Sequence, residues 1–268
     1  MMQIIENKER NAILTTLDPI AVQKLRTLPG LFPGKDGNLK LSNYYCFASG
    51  NAMKGFGRRL MYHHAYEDVL EIDFNELLVD FPGKVRRDVD SFCETGNSYT
   101  ERGRLMKGVS EHTYDKIRQD IPMLDLLGGR YINSYFNGSA SFGAPIICTQ
   151  ETWDIYAKDL NFHDDAEHLP YLEELQEQEK RSNYLRPHTA FYWNSRLIRT
   201  KSEGTALAFD AFISLIARRG EMSRRRFDVQ FEDLNPKAAI KEFDQFLRDN
   251  KEKVVEGIFL LAEEFQYE

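Results

Sequence analysis

Cysteine is scarce in this sequence, and the three cysteines do not form a metal-binding pattern. Cys46, Cys93 and Cys148 are far apart, no two have the Cys-x-x-Cys spacing of a zinc site, and an odd number cannot all pair in disulfides. The histidines show no recognised spacing either, since His63 and His64 are adjacent and therefore point to different faces of a helix. We expect no metal, no other cofactor and no disulfide framework.

Long apolar segments and an excess of basic residues are also missing. No apolar run approaches the length of a membrane span, and residues 1–8 lack the apolar stretch of a signal peptide, which predicts a cytoplasmic protein. The 35 Lys and Arg are outnumbered by 42 Asp and Glu, for a net charge of −7. Any binding of nucleic acid must therefore use a local basic surface.

Strand and helix patterns are mixed along the chain without the regular rhythm of βαβ units. This mixture predicts an α+β protein with an antiparallel sheet. The periodicity and the turn residues predict helices at 53–80, 110–127, 206–217 and 236–265, strands within 130–150 and at 189–198 and 227–231, a short strand candidate at 69–74, and irregular chain at 29–43 and 82–108.

The segment 49–60, with the sequence SGNAMKGFGRRL, is the most informative part of the chain. It begins with a small polar residue and a glycine, contains the cations Lys54, Arg58 and Arg59, and has no acid. A helix that begins here offers free backbone N–H groups and the positive end of its dipole, which suits a phosphate. We expect a surface helix on which the cations are exposed.

Further basic clusters stand beside glycine or aromatic residues. They comprise Arg102, Arg104 and Lys107; Arg130 within Gly-Arg-Tyr; and Arg218, Arg219 and Arg224–Arg226. Arginine binds phosphates through paired N–H donors, and aromatic rings stack on unpaired bases. One such cluster is typical of a solvated surface, but their joint occurrence in an acidic protein favours a localised RNA-binding surface.

Motifs of other functions are incomplete. The sequence has no Gly-x-Ser-x-Gly nucleophile motif, and its glycines near residue 50 have neither the Rossmann spacing nor the Lys-Ser/Thr of a P-loop. Two alternatives stay open. One is a metal-dependent RNA nuclease that uses Asp36, in the turn sequence Gly-Lys-Asp-Gly. The other is a phage or plasmid interaction protein whose acidic surface mimics nucleic acid.

Residues 159–180 contain eight acids and one lysine. This composition predicts an exposed insertion, part helix and part loop. Because its acids would repel phosphates, we expect the segment to contact a neighbouring subunit rather than RNA. Suitable partners there are the basic pairs Arg86/Arg87 and Arg102/Arg104 of the next copy.

Three segments in order resemble the backbone subunits of CRISPR effector complexes, in the RAMP superfamily of guide-RNA-binding proteins. Residues 49–59 resemble the small-Gly-Asn start of that family's first helix, 121–140 its Leu-Leu-Gly turn and following strand, and 203–205 the Gly-Thr before its second core helix. The resemblance covers residues 12–232. One departure is 218–226, RRGEMSRRR, with five arginines and one glycine where the family has a glycine-rich loop.

The resemblance implies a ferredoxin-like core, an antiparallel sheet of the RNA-recognition type, with large inserted loops. The core would comprise residues 1–235, with insertions near 82–108 and 159–187. The apolar periodicity beyond it adds a long amphipathic C-terminal helix at 236–268, packed on the core.

The resemblance also implies a non-catalytic subunit that binds crRNA, in several copies along one guide, beside other subunits of the effector complex. Target nucleic acid would be recognised through the guide. Some relatives cut RNA with a loop aspartate, and Asp36 lies in roughly that loop, but its surroundings do not match, so no activity is carried over. The residues expected to bind RNA are Ser49, Gly50, Asn51, Lys54, Gly55, Arg58, Arg59, Arg130, Arg224, Arg225 and Arg226.

Overall fold

The computed structural model describes residues 5–21, 23–33, 39–96, 111–131, 134–156, 169–200 and 202–266. Its strands are β1 (Ile5–Thr16), β2 (Gln23–Pro33), β3 (Leu39–Cys46), β4 (Gly128–Tyr131), β5 (Ser134–Asn137), β6 (Ala140–Phe142), β7 (Ile146–Ile147), β8 (Ala190–Thr200), β9 (Glu221–Met222) and β10 (Arg225–Phe231).

Helices connect these strands along the chain. They are α1 (Gly50–Tyr62), which continues as a π-helical segment (His63–Val69), then α2 (Phe74–Leu77), α3 (Gly83–Thr95), α4 (Glu111–Asp120), α5 (Pro122–Leu127), α6 (Gln150–Tyr156), α7 (Leu172–Ser182), α8 (Glu203–Arg219), α9 (Pro236–Asp249) and α10 (Lys251–Gln266). None of the helices within the described residues is long and apolar enough to cross a bilayer.

The main sheet is antiparallel and has the order β2-β3-β7-β8-β1-β10-β9, with β6 also paired to β8. Its centre is the long pairing of β1 with β8, which runs from Ile5↔Thr200 to Thr15↔Ala190. On its other side β1 pairs with β10, while β4 and β5 form a separate hairpin. The expectation of an α+β fold with an antiparallel sheet is confirmed.

One core joins the sheet to α8. Leu14 of β1 and Trp193 of β8 are buried together with Phe209 and Phe212 of α8. The buried part of α8 includes one acid, Asp210, which accepts from Lys8 at 2.5 Å and from Arg10 at 2.9 Å. These ion pairs fasten α8 to the beginning of β1.

Helix α1 packs closely on α8 through a glycine. A Cβ atom added at Gly57 would lie 2.2 Å from the ring of Phe212 and 2.8 Å from Ile216. Any side chain at this position would therefore push the two helices apart. This contact fixes where the beginning of α1 lies relative to the sheet.

Three expectations about irregular and extended segments were wrong. Much of 29–43 lies in the paired strands β2 and β3, whose register shifts between Leu25 and Gly30. The strand candidate 69–74 is the end of the π-helical segment followed by the cap of α2, where Asp73 accepts from the backbone N–H of Asn75 at 2.8 Å. Within 82–108, residues 83–95 form α3.

The predicted long C-terminal helix is in fact two helices. Asn250 leaves the helical conformation, and its side-chain amide donates to the Phe246 carbonyl at 2.9 Å. Asparagine side chains compete with the backbone ladder in this way. A similar break at Ile121 divides the helix predicted over 110–127, because Pro122 disfavours helical geometry in the residue before it.

Candidate nucleic-acid interface

The beginning of α1 is built as an open helix N-terminus. Ser49 caps the helix, its hydroxyl accepting from the backbone N–H of Ala52 at 3.2 Å, and the first turn has no acid. Asn51 and Gly55 are exposed, and Lys54 is half-buried. Burial, and then the charge of Arg58, lowers the pKa of the Lys54 ammonium. An anion here would meet free N–H groups, the helix dipole and one lysine.

The two glycines of this helix start differ in what surrounds them. A Cβ at Gly50 would lie 2.2 Å from the carbonyl oxygen of Phe142, so Gly50 is required by packing against the end of β6. A Cβ at Gly55 would have nothing within 4 Å. Packing therefore does not require a glycine at position 55. Because Gly55 has no side chain, the helix backbone is uncovered there on an exposed surface.

Arg58 is not on the surface, contrary to the expectation from the sequence. It is 5% exposed, and its Nη2 donates to the carbonyl oxygens of Leu127, at 3.0 Å, and Gly128. Burial lowers the pKa of its guanidinium to about 10. Gly96, with φ of 77°, leaves room for this side chain, since a Cβ there would be 2.8 Å from Cζ of Arg58. Arg58 thus ties α1 to the beginning of β4.

Two other arginines predicted to bind RNA, Arg59 and Arg130, lie away from the beginning of α1. Arg59 is exposed but belongs to the last turn of α1 and not to its beginning. Arg130 is in β4, paired in register with Tyr135. Because Arg58 joins α1 to Leu127 and Gly128, the strand that carries Arg130 begins beside α1.

A second basic element lies next to the beginning of α1. Strands β9 and β10 form a hairpin whose two-residue turn is Ser223-Arg224. Arg225 Nη1 donates to the carbonyl oxygen of Phe47 at 2.9 Å, and its Cζ lies 5.7 Å from the centre of the Phe47 ring. Phe47 is two residues before the cap Ser49. The structure thus brings this hairpin and the helix start together.

The three consecutive arginines of the hairpin have different roles. Arg225 is half-buried against Phe47, and Arg226 forms a bidentate pair with Asp18, with N–O distances of 2.9 and 2.7 Å. Arg224 is exposed at the turn, and no ion pair to it occurs among the described residues. Arg218 and Arg219 are exposed in the last turn of α8, just before the hairpin. Arg224 is therefore the hairpin cation most available to a ligand.

Several residues of the predicted basic surface cannot be placed. Asp36, Arg102, Arg104 and Lys107 lie outside the described residues, as do 159–168 of the acidic segment. Arg86 and Arg87 each donate to a nearby backbone carbonyl, that of Asn75 at 3.1 Å and that of Gly83 at 3.3 Å. In the part of the chain that the structure describes, no group of three or more His, Cys, Asp or Glu side chains is placed so that it could bind a metal ion.

A buried carboxylate beside the interface was missed by the sequence reasoning. Asp125, 6% exposed in α5, accepts from Arg118 Nε at 2.6 Å and from the hydroxyls of Ser139 and Thr200, each at 3.0 Å. It joins α4, α5, the turn before β6 and the end of β8. The sequence signal that could have indicated this network is the single acid in the apolar sequence Pro-Met-Leu-Asp-Leu-Leu, because a buried charge requires partners.

The open face of the central strands carries a second unpredicted network. Asn11 of β1 accepts from the Tyr192 hydroxyl and from the Asn194 amide, each at 2.8 Å, and donates to Glu232 at 3.2 Å. Glu9, next on the same face, accepts from Arg196. The acids Glu9 and Glu232 make this face a poor site for phosphates, in contrast to the beginning of α1.

Comparison with known proteins gives matches among solved structures alone. No protein-family profile matches the chain, and no curated protein is similar to it. The chain is similar to a chain of a Type IV-B CRISPR complex, with 12% identity and a TM-score of 0.46, over 84% of this chain and 90% of the other. It is also similar to Csc2 of Thermofilum pendens, with 11% identity and a TM-score of 0.38, over 97% and 86% respectively. A CRISPR complex is the class of assembly that the sequence motifs resembled.

Proposed function

We propose that this chain is a non-catalytic backbone subunit of a CRISPR effector complex that binds the phosphates of a guide RNA. The observation that carries the proposal is the beginning of α1. There an acid-free first turn, Lys54 and the bare backbone at Gly55 lie beside the arginine hairpin held to Phe47. The helix start and the arginine hairpin are two independent sources of positive potential at one place, which suits a polyanion. Contacts of this kind are made to phosphates and do not distinguish one base from another.

We further propose that the core is ferredoxin-like. Along the chain, β1, α1, the strands β6 to β8, α8 and β10 follow one another as in a βαββαβ fold. In the sheet, β1 and β8 are central, between β6 and β7 on one side and β10 on the other. Residues 1–235 would be this core with its insertions, and α9 and α10 an addition to it.

The proposed contacts are a revised set of those expected from the sequence. Ser49, Asn51, Lys54 and Gly55 would bind one phosphate at the beginning of α1. Arg224, with Arg218 and Arg219, would bind the next phosphates, and Arg130 a further one. Arg58, Arg225 and Arg226 support these elements through the protein contacts described above.

The proposal is tested by binding of a fluorescein-labelled single-stranded RNA of mixed sequence at several salt concentrations. The affinity should fall steeply with salt and depend little on sequence, with each phosphate contact adding roughly 0.7 to the log–log slope. Lys54→Glu should lower both the affinity and the slope. Lys241→Glu, on the exposed side of α9, is the matched control and should change neither.

Two results would contradict the proposal. One is an affinity that does not change with salt. The other is an equal loss of affinity in Lys54→Glu and Lys241→Glu, which would mean that overall charge matters and the beginning of α1 does not. Circular dichroism of both variants confirms that the fold is intact.

A further inference from the structure

Strand β10 has a free backbone edge over its second half. On one side it pairs with β1 from Phe227 to Phe231, and on the other side β9 pairs with it at Arg225 and Arg226. No other strand in the described part of the chain joins β10. The last residues of β10 therefore have a neighbouring strand on one side and none on the other.

The hydrogen bonds of β10 show which of its residues face outward. The N–H of Glu232 donates to the Asn11 carbonyl at 3.3 Å, toward β1, whereas the N–H of Phe227 donates at 2.8 Å to the residue that follows α8. Because bonding alternates from side to side along a strand, Val229 and Phe231 direct their N–H and C=O groups outward. No hydrogen bond among the described residues reaches these two N–H groups.

The side chains on the two faces of this edge differ in character. Val229 and Phe231 are half-buried and pack against the main core. Asp228 and Gln230 are exposed on the opposite face, and Asp233 is exposed just beyond the strand. Within the described residues, neither aspartate forms an ion pair. The edge is thus apolar on one face and acidic on the other.

A free edge can accept a strand from another chain, and many proteins carry features that prevent this. Such features include prolines, bulges and charges on the inward face. β10 contains no proline, its register with β1 does not shift, and its inward side chains at the free end are apolar. The acids on the outward face instead restrict which strand can join.

A second copy of the same edge would fit poorly. In a symmetric antiparallel pair of two such edges, Val229 would lie opposite Phe231, and Asp228 would then lie opposite Glu232 of the second copy. Like charges directly opposite each other destabilise a sheet. The occupant that suits this edge must bring positive charge.

We infer that the outer edge of β10, at 228–232, binds an extended basic segment of a partner protein as an added strand. Backbone groups of Val229 and Phe231 would supply the hydrogen bonds. Because side chains alternate along a strand, the segment would place Lys or Arg beside Asp228 and apolar residues beside Val229. The inference goes beyond the proposed function, since Val229 is five residues from Arg224, roughly 17 Å along an extended strand.

Two fluorescein-labelled peptides test the docking. Lys-Val-Lys-Val-Lys-Val has the required alternation, and Lys-Lys-Lys-Val-Val-Val has the same composition and charge without it. The alternating peptide should bind about fivefold more tightly in fluorescence anisotropy, because only it can place its charges and apolar groups on opposite faces. Equal affinity for the two peptides, or no binding of either, would overturn the inference.

Two variants of β10 test the backbone and the charge separately. Val229→Pro removes an N–H that the protein's own sheet does not use, so this variant should fold and lose peptide binding. Asp228→Lys should weaken binding by about fivefold, whereas Glu263→Lys on α10, with the same change in net charge, should leave it unchanged. Equal losses in the two lysine variants would overturn the inference. That comparison decides the matter if Val229→Pro does not fold, since a change at an exposed side chain leaves the backbone intact.

Amide hydrogen exchange shows where the peptide binds. With the alternating peptide, the N–H groups of Val229 and Phe231 should exchange about tenfold more slowly, while that of Gln230, on the side of β1, should change little. Peptide binding without protection at Val229 and Phe231 would overturn the inference. So would protection that grows with protein concentration in the absence of peptide, because a second copy would then cover the edge.

Discussion

At the scale of single residues, the arginines of one short motif have opposite environments. Arg58 and Arg59 are adjacent in the sequence, yet the first is buried under Gly96 and the second is exposed in the last turn of α1. The guanidinium of Arg58 donates to the backbone carbonyl oxygens of Leu127 and Gly128. Its role is to join α1 to β4.

We predict that Arg58→Ala destabilises the protein without removing the RNA site. The carbonyls of Leu127 and Gly128 would lose their donor and a cavity would form, at a cost of about 3 kcal/mol in the free energy of unfolding. Urea denaturation measures this. Below the melting temperature, RNA affinity should stay within twofold, roughly, of the unchanged protein. A large loss of affinity in the folded variant would return Arg58 to the binding surface.

Gly55 gives a prediction with two opposite effects. Replacing it by alanine should raise the free energy of unfolding by about 0.5–1 kcal/mol, because glycine is unfavourable within a helix and nothing would contact the new methyl group. RNA affinity should fall, because that methyl group would cover the backbone that a phosphate approaches. Gly83→Ala at the start of α3 is the control and should leave affinity unchanged. Unchanged affinity in Gly55→Ala would remove Gly55 from the site.

At the scale of elements, the β9–β10 hairpin is strained where it presents a cation. Ser223 and Arg224 have φ values of 50° and 65°, a region that favours glycine and asparagine. Strain in an exposed turn is retained when the residue has another use. Arg224 is that residue in the proposed function.

We predict that two glycine substitutions in this turn will separate strain from binding. Ser223→Gly and Arg224→Gly should each raise the free energy of unfolding by about 1 kcal/mol, since both relieve a positive φ. Only Arg224→Gly should weaken RNA binding, and its log–log salt slope should fall by roughly 0.7. Thermal denaturation and fluorescence anisotropy measure the two effects. An equal loss of affinity in both variants would mean that turn shape, and not the charge, matters.

The helix breaks at Asn250 and Ile121 belong to the same scale. Both are local effects of one residue type, the competing amide of asparagine and the proline that follows Ile121. Periodicity continues across each break, because the two helices on either side bury residues against one core. For that reason the apolar pattern predicted one helix where there are two.

At the scale of the whole molecule, we predict that the protein does not cleave RNA. A hydrolytic site usually gathers carboxylates around a metal, and Asp36 has no acidic neighbour in the sequence between Asp18 and Glu67. A labelled RNA complementary to the guide, incubated with the assembled complex and magnesium or manganese, should stay intact. Cutting that depends on the metal and disappears in Asp36→Ala would establish the nuclease alternative.

Elements with strong local signals were predictable from the sequence. The strand β8, the helix α8 and the helix start at Ser49 were expected where they occur, because alternation, apolar periodicity and a cap are local properties. The β2–β3 pair was missed because its prolines and glycines are typical of loops. In the structure, Pro29 and Gly30 lie where the register of the β2–β3 pair shifts, and Pro33 lies in the last described pair of these strands.

The sequence alone determined that the protein is acidic with local basic clusters, that its fold mixes helices with an antiparallel sheet, and where α1 begins. These follow from composition and short-range patterns. Tertiary structure decided which cations are available. It buried Arg58 against two carbonyls, paired Arg226 with Asp18, and set Arg225 against Phe47 beside the beginning of α1. Burial and pairing depend on residues distant in the chain, and no local pattern encodes them.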